Sequence, residues 1–102
     1  MESKNAVKIF ESLSSDIRLN IYRMLVKAGP IGMVAGQIAI ELDVPPSNLS
    51  FHLKALVVSE LLFVEQEGRF LRYRANMPLM FNLVDYLTEE CCQGDRQSCA
   101  RQ

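Results

Sequence analysis

The 102-residue chain predicts a mainly α-helical domain carrying one small β-hairpin. Three observations carry that expectation. Apolar residues recur at three- and four-residue spacing through most of the chain. Gly29-Pro30, Val44-Pro45-Pro46 and Pro78 interrupt that pattern at intervals suited to short helices. One stretch, Leu62 to Arg74, breaks to a period of two around a glycine, as paired strands do.

Val7, Phe10 and Leu13, with Ala6 and Ile9 beside them, make a first amphipathic helix from Ser3 to about Ser14. Ser15 is placed to cap a second helix, with Asp16 in its first turn where a negative charge suits the helix dipole. Its apolar face is Ile17, Ile21, Met24, Leu25 and Ala28, and Gly29-Pro30 stops it. A third helix is expected from Val34 to Leu42, with Ile38, Ala39 and Leu42 inward and Gly36 weakening it. Asp43-Val44-Pro45 is a tight connection. Pro46 opens a fourth helix, running to about Ser59, because a first-turn proline lacks only an N–H that would be unpaired anyway.

In that fourth helix Leu49, Leu53, Leu56 and Val57 form the apolar stripe. The opposite face carries Ser47, Asn48, Phe51 and Lys54, with Ser50 and His52 on the flanks. Two helices joined by a short turn, the second showing small polar groups and a lysine outward, is the organisation of a helix-turn-helix. Leu62-Phe63-Val64 and Phe70-Leu71-Arg72-Tyr73-Arg74, turning at Glu67-Gly68, then read as a wing, with Arg72 and Arg74 on one face. Pro78 starts a last helix whose apolar face is Leu79, Met80, Leu83, Val84 and Leu87. No later element covers it, so pairing with the first helix and with a second copy of the chain is expected. Residues 1–92 are thus expected to form one winged helix-turn-helix domain that binds DNA and dimerises through its first and last helices. Residues 93–102 are expected to be a flexible tail.

With 49% hydrophobic and 23% charged residues, the composition is that of an ordinary globular domain. No apolar run approaches the ~20 residues that span a bilayer, and Met1-Glu2-Ser3-Lys4 lacks the pattern of a secretory leader, so the cytoplasm is the expected compartment and no membrane partner is expected. A net charge of −1 argues against nucleic-acid binding only as a total, because the signs are segregated. Lys54, Arg69, Arg72 and Arg74 lie in the middle of the chain, and Asp85, Glu89, Glu90 and Asp95 near its end.

All three cysteines, Cys91, Cys92 and Cys99, fall in this terminal stretch among Glu, Gln, Gly, Asp and Arg. Their plain reading is a surface tail with incidental thiols. A chemical reading is that three sulfurs complete trivalent arsenic or antimony, which makes three bonds and keeps a lone pair, whereas structural zinc takes four ligands. Seven residues reach at most about 24 Å, and Gly94 permits a turn, so Cys99 is able to fold back on the pair. A site shared across a dimer is also open. Each bound thiol gives up its proton, so affinity is expected to rise with pH.

Ser50-Phe51-His52-Leu53-Lys54-Ala55-Leu56, followed by Glu67-Gly68-Arg69 and Tyr73-Arg74, resembles the ArsR/SmtB family of winged-helix metal-sensing repressors over roughly residues 6 to 90. The resemblance implies a cytoplasmic homodimer that holds a double-stranded operator of imperfect two-fold symmetry and leaves it when an inducer binds. The chain also departs from that family. The Cys-Val-Cys arsenic pattern of the third helix falls here on Val34 and Gly36, with Ala39 where a further cysteine can sit. The zinc site of the last helix needs histidines, and the only histidine is His52; Asp85 alone does not build it. Glu60 stands where the family commonly ends the recognition helix with glycine, so a left-handed residue or a different helix end is expected there. The terminal cysteines resemble those of a minority of arsenic repressors with a C-terminal inducer site.

The expected DNA contacts are therefore Ser47 and Asn48 on base edges, Phe51 on a thymine methyl, Lys54 on a phosphate, Ser50 and His52 beside them, and Arg69, Arg72 and Arg74 from the wing. The plain alternative for each is a solvated surface, and for His52 a packing role. The expected inducer is As(III) or Sb(III) on Cys91, Cys92 and Cys99. A redox sensor, or one for cadmium, lead or bismuth, would use the same thiols. A thiol-dependent reductase is disfavoured, since there is no Cys-x-x-Cys and no histidine near the cysteines in the sequence.

Overall fold

The computed structural model describes residues 1–95 and 97. Its order is α1 (Ser3–Leu13), α2 (Asp16–Ala28), a 3₁₀ turn (Gly29–Ile31), β1 (Met33–Val34), α3 (Ala35–Leu42), α4 (Pro46–Val58), β2 (Leu62–Glu67), β3 (Phe70–Ala75), α5 (Met77–Thr88) and a second 3₁₀ turn (Cys91–Gly94). This is a winged helix-turn-helix, mainly helical, as the periodicities require.

The sheet is larger than the expected hairpin. Met33–Val34 pairs antiparallel with β3, Met33 opposite Tyr73, so the order is β1-β3-β2 with three strands. Val34 consequently caps α3 instead of starting it. A two-residue strand has no period of its own, which is why the sequence pattern hides it. Gly32 makes the approach possible: its φ is +64°, and a Cβ there would overlap the Tyr73 carbonyl oxygen. The hairpin turn is Gly68-Arg69, between Glu67 and its partner Phe70, one residue later than the expected Glu67-Gly68.

Both ends of the helix-turn-helix are closed by left-handed residues that are not glycine. After α3, Asp43 (φ 53°) lets the Val44 N–H reach the Ala39 carbonyl at 3.1 Å. After α4, Glu60 (φ 67°) lets the Leu61 N–H reach the Leu56 carbonyl at 3.0 Å while its own N–H bonds Val57 at 2.9 Å. Both are Schellman closures, the place where glycine is ordinarily preferred. Leu61 and Leu56 are then fully buried, so the chain leaves the recognition helix straight into the core.

That core is built from Ala6, Ile9, Ile21, Tyr22, Leu25, Ile38, Leu49, Leu53, Leu56, Leu61, Leu62, Tyr73 and Leu83 among others. The stripe expected of α4 is inside, with Val57 half-buried. In α1 the inward residues are Ala6, Ile9 and Ser12, while Val7 and Phe10 face outward. Ser12 is tied to the end of α4 by the Ser59 hydroxyl, which donates to it at 2.9 Å. In α5 only Leu83 is fully inside; Phe81, Val84 and Leu87 are exposed. Asn76 caps α5, accepting from the Leu79 N–H at 3.3 Å and donating its amide to the Glu60 carbonyl at 2.8 Å.

Candidate nucleic-acid interface and cysteine cluster

Packing Leu49, Leu53 and Leu56 against the body leaves the other side of α4 open. Ser47, Asn48, Phe51 and Lys54 are all exposed on it, and Phe51 keeps 67% of its surface accessible. A phenyl ring that far out of the core on a polar helix face is available for apolar contact with a thymine methyl. Ser50 is exposed too, but its hydroxyl donates to the Pro46 carbonyl one turn back at 3.0 Å. Its oxygen keeps acceptor capacity outward.

His52 is half-buried and accepts at Nδ1 from the Arg18 Nε–H of α2, 3.1 Å away. The ring stands edge-on to Phe51 with centroids 5.5 Å apart. Burial first, and the Arg18 charge second, hold its imidazole below the ordinary value of 6.5. Arg18 also lies over the Phe51 ring, 5.6 Å from its centroid. Sequence reasoning missed Arg18 because its partner is 34 positions away; no local pattern joins them.

The three wing arginines divide. Arg69 sits exposed in the two-residue turn at the tip. Arg72 bonds the Glu67 carboxylate at 2.9 Å and the Ile31 carbonyl at 3.1 Å. Arg74 bonds Glu65 at 2.9 Å and the Pro30 carbonyl at 2.8 Å, with Glu67 at 4.0 Å. As expected, Arg72 and Arg74 share a face of β3, but that face is occupied by their own carboxylates and by the 3₁₀ turn. They clamp Gly29–Ile31 to the sheet.

The cysteines do not continue the last helix. α5 ends at Thr88, Glu89 is extended (φ −60°, ψ 137°) and Glu90 is left-handed, so Cys91 and Cys92 lie in a separate 3₁₀ turn. Both are half-buried. Cys91 is a free thiol, whereas Cys92 is disulfide-bonded. Left-handed backbone recurs at Cys92 and Gln93 (φ 50° and 60°). Cys99 lies outside the described residues, and among those described no group of three His, Cys, Asp or Glu side chains is placed to hold a metal. Among the described residues no helix is long and apolar enough to cross a membrane.

A helix-turn-helix with an open polar recognition face and a basic-tipped wing defines a DNA-binding protein. The chain belongs to the helix-turn-helix domain family, whose model matches residues 13–65. Among solved structures it is similar to an ArsR-like transcriptional regulator from Rhodococcus sp. RHA1, with 27% identity over 95% of this chain and 89% of that one, TM-score 0.76. It also resembles reduced HlyU from Vibrio cholerae (24% identity, 89% and 93% covered, TM-score 0.70). A third likeness is the homodimeric winged helix-turn-helix DNA-binding domain of Mb0332 from Mycobacterium bovis, a possible ArsR-family regulator (22% identity, 90% and 85% covered, TM-score 0.67). No curated protein matches the chain. The family and fold are those of DNA-binding transcription regulators.

Proposed function

We propose that the chain is a homodimeric repressor that leaves a two-fold symmetric operator when As(III) or Sb(III) is captured by the thiolates of Cys91, Cys92 and Cys99. The observation that carries the sensing half is positional. Val34, Gly36 and Ala39 leave α3 without a thiol, and every sulfhydryl of the chain follows the outward-facing helix α5. In the dimer the two copies of α4 reach successive major-groove half-sites, with Ser47, Asn48 and Phe51 at base edges and Lys54 and Arg69 at the backbone. Closing three thiolates on one ion reshapes the turn after α5 and so the seat of the dimer. To carry the operator equilibrium from 1:99 to 99:1, the ion must favour the released form by about 5.5 kcal/mol.

The test is operator binding with and without arsenite for Cys91→Ser, Cys92→Ser and Cys99→Ser under reducing conditions. Each substitution is expected to leave DNA binding intact and abolish release. If all three variants still release DNA as the parent does, arsenite acts elsewhere.

A second reading has one observation in its favour: Cys92 is disulfide-bonded, so the same thiols are competent to signal by oxidation. Three thiolates and that disulfide are mutually exclusive states of the cluster. A chain whose operator is released by peroxide, with arsenite inert on the reduced form, is a redox sensor.

A further inference from the structure

We infer that Arg18 and His52 together form a phosphate clamp at the margin of the recognition face, an inference that rests on the DNA-binding reading and extends it to a residue of α2. Arg18 lies outside the helix-turn-helix proper, yet its Nε–H is donated to His52 Nδ1 at 3.1 Å and its guanidinium carbon is 5.6 Å from the Phe51 ring centroid. Phe51 belongs to the open face of α4. The guanidinium is therefore held beside that face by two contacts of different kinds, a hydrogen bond and a cation–π contact.

Its remaining chemistry is uncommitted. Arginine carries five N–H donors in a rigid fork. One is used on His52, and among the described residues no other acceptor takes the terminal nitrogens and no carboxylate lies within 4.0 Å; every ion pair found there is in the wing. A pre-oriented guanidinium with free terminal N–H groups is matched to a phosphodiester, which takes two parallel donors. His52 adds to this. Accepting at Nδ1 requires a lone pair there, so the neutral ring carries its hydrogen on Nε2. Arg18 thus makes the imidazole's other nitrogen a donor. That N–H leaves the ring on the side away from Arg18, so the charged fork is the part matched to one backbone phosphate, and His52 holds it in place through Nδ1.

The ordinary alternative is that Arg18 merely fixes α2 against α4. The two are separated by salt dependence. A duplex recovered from a random-sequence pool with the parent dimer serves as probe, and its affinity is followed from about 50 to 200 mM salt, the range over which phosphate contacts declare themselves. Arg18→Gln keeps an N–H for His52 and removes the charge. It is expected to bind about tenfold more weakly, with the slope of log K against log salt smaller by about one. Arg18→Lys is expected to keep the parent slope, since its charge remains. Weaker binding by Arg18→Gln at an unchanged slope, or unchanged binding, overturns the clamp.

A second measurement does not depend on either variant folding. The chain has a single histidine, so its ¹⁵N resonances are unambiguous, and in the parent they should show the Nε2–H tautomer. The Nδ1–H tautomer would overturn the proposal even if DNA binding is normal. A parent that recovers no duplex from the pool would instead sink the DNA-binding reading itself, and the clamp with it.

Discussion

At the scale of single residues, Glu60 stores strain where the fold needs a left-handed turn. A side chain at φ 67° costs about 1–2 kcal/mol against right-handed backbone, and glycine removes that cost while adding some chain entropy to the unfolded state. Glu60→Gly is therefore expected to raise stability by about 0.5–1 kcal/mol, read as a higher urea midpoint with unchanged slope. His52 gives a pH dependence of opposite origin. Its folded value is held low by burial and then by Arg18, so the folded chain prefers the neutral ring. The associated stability is complete above the unfolded value of about 6.5 and is lost as pH falls through the lowered folded value. Urea midpoints of the parent should decline on acidification through that window, and those of His52→Gln should decline less; equal declines would mean the ring is indifferent to folding. The left-handed residue at 60 was expected from the resemblance, but the environment of His52 was not, because its partner comes from another helix.

At the scale of elements, the wing separates residues that a period of two treats alike. Alternation placed Arg72 and Arg74 on one face of β3, and the resemblance to a winged-helix repressor marked both as DNA contacts together with Arg69. Their hydrogen bonds to Ile31 and Pro30 also hold the 3₁₀ turn that delivers β1 to the sheet. Arg74→Ala should cost about 1 kcal/mol of stability, since its carboxylate partner is largely exposed and contributes little. Its effect on the salt slope of DNA binding should be negligible. Arg69→Ala should do the reverse, leaving stability within about 0.5 kcal/mol and lowering the slope by about one. Denaturation and DNA titration of the two variants side by side decide it; a loss of slope in Arg74→Ala alone would return the DNA role to β3. The end of α5 makes the same point. Thr88 closes the helix by donating back to the Val84 carbonyl at 2.8 Å, and the two glutamates after it break the axis before the cysteines begin.

For the whole molecule, the unfilled feature is an apolar surface on the two helices that close the domain. Val7 and Phe10 of α1 and Phe81, Val84 and Leu87 of α5 are each between 48% and 60% exposed, while Ile9, Leu79 and Asn82 from the same helices line one groove. Such a surface is costly in water and is covered by a second copy of the chain if the protein works as a symmetric dimer. Phe81→Glu is expected to shift sedimentation from dimer to monomer and to weaken operator binding by more than about tenfold, because two linked half-site contacts become independent. A variant that remains dimeric would place the interface elsewhere.

The order of the helices, the face of α4, the helix-turn-helix with its wing, and the confinement of the thiols to the end were all legible in the sequence, because each depends on local spacing and local punctuation. Helical periodicity places Leu49, Leu53 and Leu56 inside and Ser47, Asn48, Phe51 and Lys54 outside without reference to any other segment. Tertiary structure alone decided what depends on distant partners: β1 pairing with Tyr73, Arg72 and Arg74 turned to the 3₁₀ turn, Arg18 joined to His52, and Val7 and Phe10 left facing outward. The physical reason is common to all four. Hydrogen bonds and burial are settled by which segments meet in space, and those meetings leave no periodic trace in the chain.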